Sequence, residues 1–196
     1  MTTQLAAFAT RRASDVVGVA GLSEGAVPLL VADMAPGAYL DALVAGRLWQ
    51  DAVKFLAYGL GRREAVWWAC VCCRATMEPK PSPEAVRALT AAEAWCRAPS
   101  EENRRAAQAA AEASGLEHPA ALAALGAFFS GATLAPPHIQ QPVPPGPFHT
   151  ARAIVGAVTL AAVRSEPEHA PAKLAKFVEY GIAVAQPPAP DPRRRA

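Results

Sequence analysis

The chain has 196 residues, of which 52% are hydrophobic and 18% charged, with a formal net charge of +2. A chain of this length buries roughly 70% of its unfolded surface as one domain, so it can fold without disulfides or a structural metal. So small a net charge excludes a strong field directed at nucleic acid or a membrane surface.

The first predicted element follows the paired arginines of "TRRASDVVGVAGLSEG". Asp15 sits directly before an apolar stretch that is over by Ser23 and Glu24, too short and too charged for the core of an export signal. The expectation is a short helix capped by Ser14, with residues 1–35 packed on a main domain of residues 36–185. Without an export signal the chain is expected to be cytoplasmic, with Cys70, Cys72, Cys73 and Cys96 as free thiols.

From Gly37 to Leu60 apolar residues recur at spacings of three and four: Tyr39, Leu40, Leu43, then Leu48, Ala52, Phe55, Leu56. This is a helical hairpin, with Gly59 and Gly61 available as stops. "RREAVWWACVCCRA" starts the next helix at Arg62, and it ends near Met77 because "EPKPSP" cannot continue it. Both faces of this helix are apolar from Ala65 to Cys73, the pattern of a buried central helix with Trp67 and Trp68 both inside. Ser82-Pro83-Glu84 is a strong start signal, and Ser100 followed by two glutamates repeats it, with Gly115 closing that helix. An uncharged helix from Pro119 to about Gly131 measures on the order of 20 Å, short of the ~30 Å hydrocarbon layer, so no stable membrane insertion is expected.

"ATLAPPHIQQPVPPGPFHT" then connects to a second uncharged helix, Thr150 to Arg164, bracketed by Arg152 and Arg164. A last helix, Ala172 to Ala185, leads into the Pro/Arg tail of residues 186–196, expected to be disordered. The predicted class is therefore all-α: one compact multi-helix bundle with two buried central helices and a long Pro-rich crossover. "KFLAYGL" at 54–60 and "KFVEYGI" at 176–182 echo each other, which two helix ends sharing one stop would explain without a repeat architecture.

Chemistry-bearing residues are sparse. Cys70 and Cys73 share a helical face and could supply two metal ligands, but Cys96 is alone and His118, His138, His149 and His169 are scattered. Core packing of the thiols is the expected outcome, with no catalytic residue, cofactor or metal assigned. A small enzyme, or a metal- or ligand-binding helical protein using the Cys70/Cys73 region, is the alternative. Arg63 stands at the unfavourable end of a helix dipole and so implies a compensating partner, for which Asp51 on the preceding helix is the natural choice. The crossover exceeds the ~12–15 residues usual for unstructured loops, which makes it either a stiff spacer or a polyproline segment that docks on a partner. Arg62, Arg63, Glu64, His138, Pro142, Pro144, Pro145 and Pro147 are the candidate interaction residues on this reasoning. Arg193 to Arg195 would add weak, salt-sensitive attraction at most.

The strings "DAVKFLAYGLGRREAVWWACVC", "AAEAWCRAPSEENRRAAQAAAEASG", "SGATLAPP" and "HTARAIVGAVTLAAV" together resemble a bacterial family of unknown function often encoded among type VI secretion genes. The resemblance runs from about Asp51 to Ala185 and is strongest in "RREAVWWAC". Asp51, Trp67, Trp68, Trp95 and Arg152 lie in these strings as a structural signature. Proline is the expected residue where Gly61 stands, which would leave the helix entry looser here. The resemblance implies a setting and no mechanism: a non-catalytic adaptor with a protein partner, an accessory of a secretion system.

Overall fold

The computed structural model describes residues 2–136 and 138–186, and among these nine α-helices succeed one another. They are α1 (Ala13–Ala20), α2 (Pro36–Ala45), α3 (Trp49–Gly59), α4 (Arg62–Ala75), α5 (Pro83–Arg97), α6 (Glu101–Ser114), α7 (Pro119–Phe128), α8 (His149–Val163) and α9 (Ala170–Ala185). No strand accompanies them among the described residues, only an isolated bridge between Phe8 and Leu60. The fold is all-α, as the apolar spacing predicts. No helix of the described residues is long and apolar enough to cross a membrane. Of the tail expected to be disordered, residues 186–196, all but Gln186 lie outside the described residues, Arg193 to Arg195 included.

Helix starts are set by side chains that accept from otherwise unpaired N–H groups. Ser82 Oγ accepts from the Ala85 N–H at 3.2 Å and Ser100 Oγ from the Asn103 N–H at 3.1 Å. His118 Nδ1 serves α7 likewise, accepting from Ala120 at 3.1 Å. The Ser14 cap expected for α1 is not formed. Ser14 is the second residue of the helix, which starts at Ala13 from an extended Arg12.

At the centre α4 packs against α5, α7, α8 and α9, and α8 against α3, α4, α7 and α9. Trp68 is fully buried between α4 and α9, where its Nε1–H donates to the Phe177 carbonyl at 2.8 Å. Gly181 permits this approach, since a Cβ there would lie 3.0 Å from Trp68 Cε2 and 2.8 Å from Leu56 Cδ1. On the other side α5, α6 and α7 meet through alanines without solvent exposure, among them Ala88, Ala107 and Ala124. Small side chains bring helix axes to the near end of the ~8–10 Å range. The two central helices are not buried all round, however. Trp67 and Arg152 are exposed, because each helix turns one stripe outward between its neighbours.

The N-terminal segment straps the helix ends together through its backbone. Ala7 N–H donates to Ala185 O at 3.0 Å, Ala9 N–H to Gly59 O at 2.8 Å, and Gly61 N–H to Ala7 O at 3.1 Å. The last bond corrects the expectation of a loose entry at Gly61. Its φ of −56° suits proline, but proline would lack the N–H that ties α4 to the strap. Asp51 also serves this segment, accepting from the Ser23 N–H and Oγ–H, both at 2.8 Å. The "KFLAYGL" and "KFVEYGI" echo is no shared stop: Gly59 ends α3, while Gly181 lies inside α9.

The crossover is pinned at its start by α6. Arg104, nearly fully buried, donates to Phe128 O at 2.7 Å and Thr133 O at 3.0 Å, and pairs with Glu101 at 2.6 Å. Arg105 reaches Ala135 O at 2.5 Å and the same Glu101 at 2.8 Å. These two guanidiniums hold the Glu101 carboxyl down to about 2. A depressed carboxyl pKa contributes stability that is complete above the ordinary value near ~4.3 and is lost as pH falls through about 2. We therefore expect melting temperature to fall with acidification across this window less steeply in Glu101→Gln than in the unmodified chain, as followed by circular dichroism. Equal acid sensitivity would remove Glu101 from the account.

Candidate functional site

The cysteine cluster is the first place to look for chemistry, and the helix that carries it disfavours reactivity. Cys70, Cys72, Cys73 and Cys96 are all free and buried. A hydrogen bond with Cys96 and burial push the Cys70 thiol well up; burial does the same to Cys72 and raises Cys73 to about 12. The thiol, not the nucleophilic thiolate, is the stable form at neutral pH. Among the described residues no group of three or more His, Cys, Asp or Glu side chains is placed to hold a metal ion.

A different feature emerges one helical step away. Trp67 and Trp68 point about 100° apart, so the interlock of Trp68 with Gly181 turns Trp67 outward to the junction of α4, α5 and α9. Trp67 is 37% exposed, against 0% for Trp68, which corrects the expectation that both are inside. It forms an outward stripe on α4 with Arg63 and Val71, facing Tyr180 and Val184 of α9 and Arg97 at the end of α5. Together these walls enclose an open groove of about 690 Å³. The Arg97 guanidinium lies over the Trp67 ring, 5.8 Å from its centroid, a cation–π arrangement that holds both side chains at the groove surface.

Arg63 has a partner, but it is not Asp51. Its Nε–H donates to the Cys96 carbonyl at 2.5 Å, in the last turn of α5. A cation at a helix C-terminus is favoured by the dipole, and that end of α5 offsets the unfavourable position of Arg63 on α4. Asp51 is directed instead to Ser23, out of reach for structural reasons: α3 turns its first residues toward the N-terminal segment. A second clasp joins α4 and α5, with Arg74 donating to Glu93 through Nε at 2.8 Å and Nη2 at 3.0 Å. These hydrogen bonds hold the Glu93 carboxyl below its ordinary range and raise Arg74.

The remaining candidate interaction residues separate into two places. Glu64 lines the groove with Arg63. Arg62 faces the opposite way: its Nη1 donates to Ser130 O at 3.1 Å, and it borders a hollow of about 200 Å³ with Pro147 and Phe148. Phe148 stacks on Tyr58 at 5.4 Å between centroids, so the crossover ends against the core. His138, Pro142 and Pro144 are exposed and Pro145 is half-buried, none of them beside the groove. Trp95 is core, at 7% exposure. Sequence reasoning passed over Arg97, Val71, Tyr180 and Val184. The available signal was Tyr180 and Val184 at an i, i+4 spacing on α9, which is indistinguishable from core spacing until the exposed side of α4 is known.

A family of unknown function (DUF6931) matches residues 39–185, and the chain belongs to that family. No curated protein and no solved structure matches it.

Proposed function

We propose that this family member acts by binding, holding a segment of a partner protein in the groove between α4, α5 and α9. One observation carries the reading: Trp67, on a helix packed against four others, faces outward into the groove with Arg97 stacked over it. Tryptophan and arginine in a partly desolvated pocket are the residue types that dominate binding energy at protein interfaces. An adaptor role in a type VI secretion apparatus is the setting suggested by the resemblance of the "RREAVWWAC" strings. The crossover, pinned by Arg104 and Arg105 at its start and Phe148 at its end, serves on this reading as a spacer.

A second reading has its own support, because a volume of about 690 Å³ falls within the ~300–1,000 Å³ typical of small-molecule sites. One pair of variants addresses both. Trp67→Ala removes the central ring and Ala183→Trp fills the groove, and both should leave stability within ~1 kcal/mol, since neither residue is buried. Affinity purification from native cells should recover a protein partner with the unmodified chain and lose it with either variant. Undiminished recovery with both would reject the groove, and a bound small molecule released by Ala183→Trp would favour the second reading.

A further inference from the structure

Resting on the groove reading, we infer that the occupant is an extended acidic segment of the partner, which sets an apolar side chain against Trp67 and Tyr180 and carboxylates against Arg63 and Arg97. Charge complementarity at a half-apolar surface selects this occupant. Among the charged residues lining the groove, Arg63 and Arg97 stand against Glu64 alone. Arg63 uses only Nε, on Cys96 O, so its terminal N–H groups have no protein acceptor among the described residues. Arg97 has one long contact, 3.4 Å to Glu93, whose carboxylate is already taken by Arg74. Glu64 does not neutralise them. Its carboxylate folds back toward Gly61, where an added Cβ would lie 2.4 Å from Oε2, at the positive end of its own helix.

Two guanidinium groups are thus held at an apolar wall with donors to spare. A planar guanidinium in this position recognises carboxylates by paired hydrogen bonds, and partial removal from water strengthens them. A basic or neutral segment would leave those donors unanswered, a cost that discriminates against it. Anchoring by Cys96 O and by the Trp67 ring fixes both arginines before binding, so little side-chain freedom is lost when a ligand arrives.

The test is selection from an unbiased phage library of 12-residue peptides on the immobilised full chain, followed by affinity measurement of the recovered peptides at low and moderate salt. The expected result is peptides rich in Asp and Glu beside an aromatic or aliphatic residue. Arg63→Gln and Arg97→Gln should each weaken them about tenfold, Trp67→Ala at least as much, and added salt should weaken them further. Apolar peptides that need Trp67 but ignore both arginine variants would overturn this inference and leave the groove reading standing. Proline-rich basic peptides resembling residues 187–196 would assign the groove to the chain's own end and overturn it as well. A dimer in sedimentation that Trp67→Ala dissociates would give the groove to a second copy, with the same consequence. Peptides indifferent to Trp67 would overturn both readings.

Discussion

Trp68→Ala is expected to lower unfolding free energy by about 3–5 kcal/mol, the range for deleting a buried tryptophan from a packed interior. The reason is local and specific. Trp68 has no solvent exposure and fills the space between α4 and α9 that Gly181 leaves open. Its removal leaves a cavity on both helices and takes away the donor to Phe177 O. Trp68→Phe should lie between, keeping most of the ring contact while losing the hydrogen bond. Urea denaturation followed by circular dichroism gives the comparison directly. A Trp68→Ala chain with the midpoint of the unmodified one would mean that α4 and α9 are not held together in this way.

Arg104→Ala should be the second large loss, about 2–4 kcal/mol. Its side chain is 3% exposed and its N–H groups hold two carbonyls, Phe128 O at the end of α7 and Thr133 O in the crossover. Deleting it leaves Phe128 O with only a 3.5 Å contact from the Gly131 N–H, takes the donor from Thr133 O, and empties the space beside Gly131, where a Cβ would lie 2.4 Å from Arg104 Nε. The Glu101 partner is 61% exposed and can return to water, so little of the cost comes from an orphaned charge. Arg104→Lys should recover only part of the loss, because an ammonium cannot span the same acceptors as a planar fork. Amide exchange near residues 131–135 should accelerate in both variants. Unchanged exchange and stability would show that the crossover is held by other contacts.

What was legible in the sequence was whatever local chemistry decides. Ser82 and Ser100 announced their helices because a capping oxygen and an acidic first turn act within four residues. The apolar spacing of α3 and α4 announced a helical core for the same reason. The exposure of Trp67 is not legible, because adjacent residues on an apolar helix carry no local mark of which one faces out. That choice is made by Gly181, more than a hundred positions away, which admits one ring and leaves the other at the surface. The partner of Arg63 is hidden for a similar reason: the dipole argument correctly requires compensation, but sequence offers an acid on the preceding helix, Asp51, where space supplies the end of α5. The backbone strap of Ala7 and Ala9 had no sequence signal at all, since main-chain hydrogen bonds can be made by almost any residue.

Placing function at the groove makes a sharp distinction between two surfaces that the sequence left open, the outward stripe of α4 and the Pro-rich crossover. Their exposed residues Trp67 and His138 mark the two surfaces. Replacing either with a photo-crosslinking p-benzoylphenylalanine in otherwise unmodified chain, and irradiating the cells in which it is expressed, reads out directly what each touches. The groove account predicts a discrete protein adduct from position 67, abolished by Ala183→Trp, and none from position 138. An adduct from position 138 with none from position 67 would contradict it and move the interface to the crossover.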